Sequence, residues 1–152
     1  MLGELSPREI EELLQSEMIA HLGCHLDGRT YVVPITYAYA DGGLLWHSTQ
    51  GLKLEMLRKN PKVCVQVDHV DNLTNWRSVI AWGEFEELKG AAAEHAMAQL
   101  KSRFVALTLS ETRVMPSKLR SSGVRERGAE APLAPVYRIR LTEKTGRFER
   151  GV

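Results

Sequence analysis

The sequence predicts a mainly β chain of β+α class, with six antiparallel strands closed into a small barrel and a few flanking helices. Three observations predict it. Short apolar runs rich in Val, Ile, Thr and Tyr alternate with Asp-Gly turn signals, the pattern of hairpin-linked antiparallel strands. The helical runs between them are few and short. The 152 residues form one domain, spanning 1–152, large enough to bury its own core. A barrel is favoured over an open sheet because closure removes unpaired strand edges.

The elements follow in order. Ser6-Pro7-Arg8-Glu9 is a capping box with proline at the first helical position. Ile10, Leu13 and Leu14 then make one apolar stripe, so a helix runs to about Ser16. Met18 to Leu26 is a strand, Asp27-Gly28 turns it, and Thr30 to Tyr39 returns. Asp41-Gly42-Gly43 turns the chain again into a third strand, Leu44 to Ser48. Two successive hairpins imply a meander. Leu52 to Asn60 is a short helix stopped by Pro61. Val63 to Asp68 alternates, with Val63, Val65 and Val67 inward. After a loop at 72–75, Trp76 to Leu88 is a long strand in which Gly83 marks a bulge. Ala91 to Ser102 is a helix with Ala92, His95, Ala96, Gln99 and Leu100 along one side. Residues 108–135 read as a long loop, and Val136 to Glu143 as a last alternating strand.

Composition narrows the function. The formal charge is +1, with no block of like charge, so neither nucleic acid nor a membrane surface is the expected partner. No apolar stretch approaches the ~20 residues of a membrane span, and MLGELSPREIEELL carries no signal-peptide pattern, so the expected location is cytoplasmic. Cys24 and Cys64 sit in apolar strand runs and read as reduced, buried thiols. In a strand His21 and His25 share one face and Cys24 takes the other, so they do not form a metal set. No Walker, Rossmann or nucleophile-elbow motif occurs.

Three segments could hold a ligand. Lys53 lies in the first turn of the short helix, where a cation opposes the helix dipole at a cost of a few tenths of a kcal/mol. Ser48, Thr49, Gln50 and Gly51 precede it. Hydroxyls, a flexible residue, a helix start and a lysine together suit a phosphate, although a capped surface helix with a solvated lysine reads the same way. Pro34 interrupts a strongly β run, VVPITYAY, which places it at an edge or bulge where backbone groups are free for a planar ligand or simply blocked from pairing. Trp76-Arg77-Ser78 opens a strand after a loop: a ring that can stack or pack, a cation, and a hydroxyl.

In their order, YVVPITYAY, LLWHSTQGLKLEMLRKNPKVCVQVD and WRSVIAWGEFEEL resemble the FMN-binding split-barrel family. That family includes pyridoxamine 5′-phosphate oxidase and Nim-type reductases. The resemblance runs from the first helix to about Leu88 and returns at RIRLTEKTGRFE. It implies a six-stranded antiparallel split β-barrel, FMN as cofactor, and a homodimer with the flavin between subunits. Along the flavin ring it places Val33, Pro34, Ile35 and Thr36. At the phosphate and ribityl chain it places His47, Ser48, Leu52 and Lys53. Beside the ring it places Ser78 and Arg77, with Trp76 completing the partner's site. His47 is the side chain it offers for proton delivery, so it is the catalytic candidate. The implied activity is FMN-dependent reduction of a small-molecule substrate with NAD(P)H as donor. Leu52 stands where the family often has arginine, and RFERGV lacks the oxidase's C-terminal pattern, so a genuine pyridoxamine phosphate oxidase is not expected. Alternatives are a non-catalytic FMN module, or a barrel holding haem or a deazaflavin.

Overall fold

A computed structural model describes the backbone of residues 1–111 and 135–151, and the side chains of residues 1–105 and 135–151. Among the described residues eight strands and three helices alternate as β1 (Leu2–Glu4), α1 (Pro7–Ser16), β2 (Ile19–Leu26), β3 (Arg29–Thr36), β4 (Ala38–Ala40), β5 (Gly43–His47), α2 (Leu52–Lys59), β6 (Lys62–Asn72), β7 (Asn75–Glu87), α3 (Gly90–Glu111) and β8 (Val136–Arg150). The mainly β antiparallel architecture is as expected, with eight strands where six were predicted. β1 had no sequence signal, and the run Thr30–Tyr39 divides into β3 and β4.

Local chemistry sets the elements. The Ser6 hydroxyl accepts from the Glu9 backbone N–H and the Glu9 carboxylate accepts from the Ser6 N–H, so the capping box that starts α1 is complete. Both hairpin turns place two successive residues at positive φ: Asp27 (50°) with Gly28 (78°), and Asp41 (53°) with Gly42 (72°). That is the backbone whose twist matches antiparallel strands, and Asp-Gly is its favoured sequence.

The strands hydrogen-bond in the order β3-β2-β6-β7-β8-β5-β4, with β1 on β8. β3 and β4 therefore lie at opposite ends of the sheet, yet only Tyr37 separates them in the chain. The sheet must curl until its two ends meet. Tyr37 makes the junction: its N–H donates to the Met18 carbonyl beside β2, and the next residue, Ala38, already pairs with Leu45 of β5. This corrects the meander. The two hairpins exist, but their partner exchange at Tyr37 sends them to opposite ends of the path.

The core fills the curl. Leu22, Val65, Val67, Val79, Ala81 and Ile139 face inward from the strands, and Leu13 and Leu14 of α1 and Leu54 and Leu57 of α2 cover them. A second cluster packs Ala96, Met97, Leu100 and Phe104 of α3 on Ala38, Leu45 and Val136. β5 is thus buried on both faces. Of the row expected along α3, Ala96 and Leu100 are buried, whereas Ala92 and His95 are exposed, and the buried face also takes in Met97 and Phe104. β8 continues past Glu143 to Arg150 because β7 and β1 both pair with its second half. The register shifts between Trp82 and Gly83, where a Cβ would sit 2.2 Å from the Arg140 carbonyl oxygen, so glycine is required at this bulge. The loop expected at 108–135 lies outside the described residues except at its ends, and residues 108–111 belong to α3.

The Tyr37 hydroxyl is buried and donates to the Leu14 carbonyl at 2.7 Å, tying the junction to the end of α1. Tyr37→Phe leaves that carbonyl without its partner and should cost about 1–3 kcal/mol. Urea unfolding of the two proteins measures it; an unchanged midpoint would show that the junction does not depend on this bond.

Candidate functional site

Alternation along the strands decides which predicted residues face outward. On β3, Pro34 and Thr36 are exposed, whereas Ile35 is buried and Val33 packs against the core. Val33 and Ile35 can meet a ligand only through their backbone. β3 is a sheet edge, which is where a strand tolerates proline. On β7, Trp76 and Ser78 are half-buried on the outer face, with Ile80 and Trp82 beyond them, and Arg77 points the other way, in phase with the buried Val79 and Ala81.

The register joins Pro34 to Ser78. Pro34 pairs with His21, and His21 pairs in turn with Gln66 of β6. Asp68 pairs with Ser78. These side chains share the outer face and are hydrogen-bonded: His21 Nδ1 lies 3.0 Å from Gln66 Oε1, and Gln66 Nε2 donates to Asp68 Oδ2 at 2.9 Å and to Ser78 Oγ at 3.1 Å. Beside this row a cavity of about 450 Å3 opens among His21, Gly23, Val32, Cys64, Gln66 and Trp82. Trp76 is oriented by its indole N–H, which donates to Glu149 at 3.0 Å.

His47, Ser48, Leu52 and Lys53 form a separate group at the β5–α2 connection. His47 ends β5 opposite Val136 and is half-buried. Leu52 is exposed and Lys53 half-buried. This group is linked to β3 through Tyr37: Ala38 pairs with Leu45, so Thr36 and His47 each lie two residues beyond that pair. The α2 N-terminus contrasts with that of α1. Gly51 occupies its cap position with no side-chain hydrogen bond, and nothing stands within 4 Å of where a Cβ would be. The first N–H groups of α2 are therefore not taken by a cap, and Ser48 and Lys53 stand on either side of them. The uncapped N–H groups and the Lys53 ammonium fit a phosphate, whereas the Ser48 hydroxyl donates its proton to the Thr49 carbonyl at 2.9 Å.

Sequence reasoning missed His21 and Gln66 as parts of the outer-face row, because their partners come from three strands. It also missed Arg58. In the structure Arg58 is the cation that holds this loop: Nη1 donates to Gln50 Oε1 at 2.7 Å, and Nε and Nη2 bind Glu87. No short-range signal marks Arg58, since Gln50 and Glu87 flank it at a distance in the chain. Burial pushes the thiols of Cys24 and Cys64 upward, which leaves them poor nucleophiles. Among the described residues no group of His, Cys, Asp and Glu could hold a metal ion, and no helix is long and apolar enough to cross a membrane.

The model of the family described as pyridoxamine 5′-phosphate oxidase matches residues 6–148. A crystal structure of an FAD-binding protein from Mesorhizobium loti is 30% identical, covers 97% of this chain and 98% of its own, and superposes with a TM-score of 0.72. The FAD-binding protein of Mycobacterium smegmatis is 20% identical over 97% of this chain and 98% of its own, with a TM-score of 0.64, which shows the same fold. The uncharacterized protein RA0666 of Rhizobium meliloti (strain 1021) is 33% identical over 91 residues, 60% of each chain, so the match spans about three fifths of that relative's length.

The half-exposed His69, register partner of Arg77, binds Glu17 at 2.7 Å and Asp71 at 3.2 Å. The Glu17 hydrogen bond, then its charge, raise the imidazole above its ordinary 6.5. A raised folded value means this stabilisation is full below pH 6.5 and is lost as pH rises through the higher folded value. Thermal melts of wild type and His69→Gln should differ most at pH 6 and converge above that range. A gap independent of pH would refute the coupling.

Proposed function

The chain belongs to the pyridoxamine 5′-phosphate oxidase family, and on that premise we propose that it is an FMN-dependent oxidoreductase acting on a small molecule. The observation that carries this reading is the uncapped start of α2 between Ser48 and Lys53. A helix N-terminus without a cap, next to a hydroxyl and a lysine, is a site for one terminal phosphate. Among the described residues this is the one helix start flanked in this way, which suits the single terminal phosphate of FMN.

In this reading the backbone N–H groups of Gly51, Leu52 and Lys53 and the Lys53 ammonium bind the phosphate. Ser48 and His47 hold the ribityl chain where β5 meets α2. The exposed edge of β3 at Val33–Thr36 lies along the ring, and Ser78 offers its hydroxyl to the ring's polar side. Trp76 supplies an aromatic face. The flavin itself carries the hydride and electron chemistry, with NAD(P)H as the donor. His47 is the group we assign to proton delivery.

The outer face also supports a homodimer. Val32, Ile80 and Trp82 expose apolar surface on it, at 61%, 40% and 39%. A second copy of this chain would cover that surface, exclude water from the ring and bring its own Trp76 to the site. This reading places the protein in the cytoplasm.

The absorption spectrum of the purified protein tests the cofactor. Flavin bands, with FMN rather than FAD released on denaturation, are expected. A Soret band, or a colourless protein that takes up no flavin, would overturn the reading. Anaerobic NADH or NADPH should bleach the bound flavin, and no bleaching with either would argue for a binding module instead. Lys53→Ala should weaken FMN binding by about 1–3 kcal/mol, the scale of a charge-assisted hydrogen bond. Equal affinity by fluorescence titration would place the phosphate elsewhere.

A further inference from the structure

Gln66 lies among three side chains whose hydrogen-bonding capacities fix its orientation. An ionised carboxylate only accepts, so the amide nitrogen must face Asp68 Oδ2, 2.9 Å away. Its second N–H then goes to Ser78 Oγ at 3.1 Å. Both amide protons are used, and Oε1 is left toward His21 Nδ1 at 3.0 Å. An amide oxygen only accepts, so Nδ1 must carry a proton. In the neutral imidazole Nε2 then holds the lone pair. The consequence at Ser78 is parallel: its oxygen accepts from Gln66, so its own O–H is the group directed away from the network.

We infer that Gln66 is a positioning residue that makes Ser78 a hydrogen-bond donor and His21 an Nε2 acceptor toward a ligand on the outer face. One carboxylate, Asp68, sets both polarities through a single amide. The face then selects a ligand edge that carries an acceptor atom for Ser78 and an N–H for His21. The imide edge of a flavin or another pyrimidinedione, with carbonyl oxygens flanking an N–H, has this pattern. The ligand half of this inference rests on the FMN reading; the proton arrangement in the ligand-free chain does not.

Gln66 separates positioning from packing because two substitutions break different arms. Gln66→Leu removes both. Gln66→Glu keeps an acceptor for His21 but has no N–H for Ser78.

The test uses 15N-histidine NMR on the ligand-free protein together with FMN titration. Wild type should show His21 protonated at Nδ1 with a lone pair at Nε2. Gln66→Leu should abolish that preference, whereas Gln66→Glu should keep it and raise the pH at which His21 titrates. FMN affinity should fall about 5- to 10-fold in Gln66→Glu and Ser78→Ala, the scale of one hydrogen bond, and further in Gln66→Leu, which loses both arms. The Gln66→Leu, Ser78→Ala double variant should bind no more weakly than Gln66→Leu alone. An Nε2–H tautomer in wild type, an unchanged His21 in Gln66→Leu, or additive losses in the double variant would each overturn the proposal. A wild-type chain that takes up no FMN but holds His21 at Nδ1–H would defeat the FMN reading and leave the Gln66 arrangement standing.

Discussion

The structure depends on the partner exchange at Tyr37. One continuous β run pairs with β2 up to Tyr37 and with β5 from Ala38 onward. Because these partners stand near opposite ends of a seven-strand path, the exchange forces the sheet to curl back on itself. Everything else adapts to that curvature. α1 and α2 cover the core enclosed by the curl, and α3 packs outside on β5, the strand that must be apolar on both faces. The bulge at Gly83 interrupts the longest ladder, β7 with β8, at a place where the Arg140 carbonyl leaves no room for a Cβ.

The curl also determines where chemistry can happen. It separates an inner face, which carries the core, from an outer face, where β2, β3, β6 and β7 present His21, Pro34, Gln66 and Ser78 side by side. At the junction itself, the end of β3 comes near the end of β5 and so near the start of α2. The uncapped start of α2 and the open edge of β3 are thus brought toward each other for a topological reason. Their residues, Val33 to Thr36 and Gly51 to Lys53, lie up to twenty positions apart in the chain.

Much of this was legible in the sequence. The capping box at Ser6, the Asp-Gly turns at residues 27 and 41, the alternation Val63-Val65-Val67 and the glycine bulge at 83 are all local signals, and all describe the structure. Lys53 was noticeable for a local reason too, since a cation in the first turn of a helix opposes the dipole. Less was visible for α3, where an alanine-rich run has no sharp apolar stripe, so Met97 and Phe104 were not recognised as its buried side.

By itself, then, the sequence determined the elements, the turn types, the alternation of each strand and the membership of the family, because each is carried by neighbours within a few residues. Tertiary structure alone decided the strand order and the division of Thr30–Tyr39 into two strands. It alone brought Gln66 to His21, Asp68 and Ser78, and Arg58 to Gln50 and Glu87. The physical reason is the same in each case. A strand's own residues fix which side chains share a face, but the hydrogen-bonding edge of a strand is chemically similar whichever neighbour it meets, so partner choice depends on how the whole sheet closes around its core.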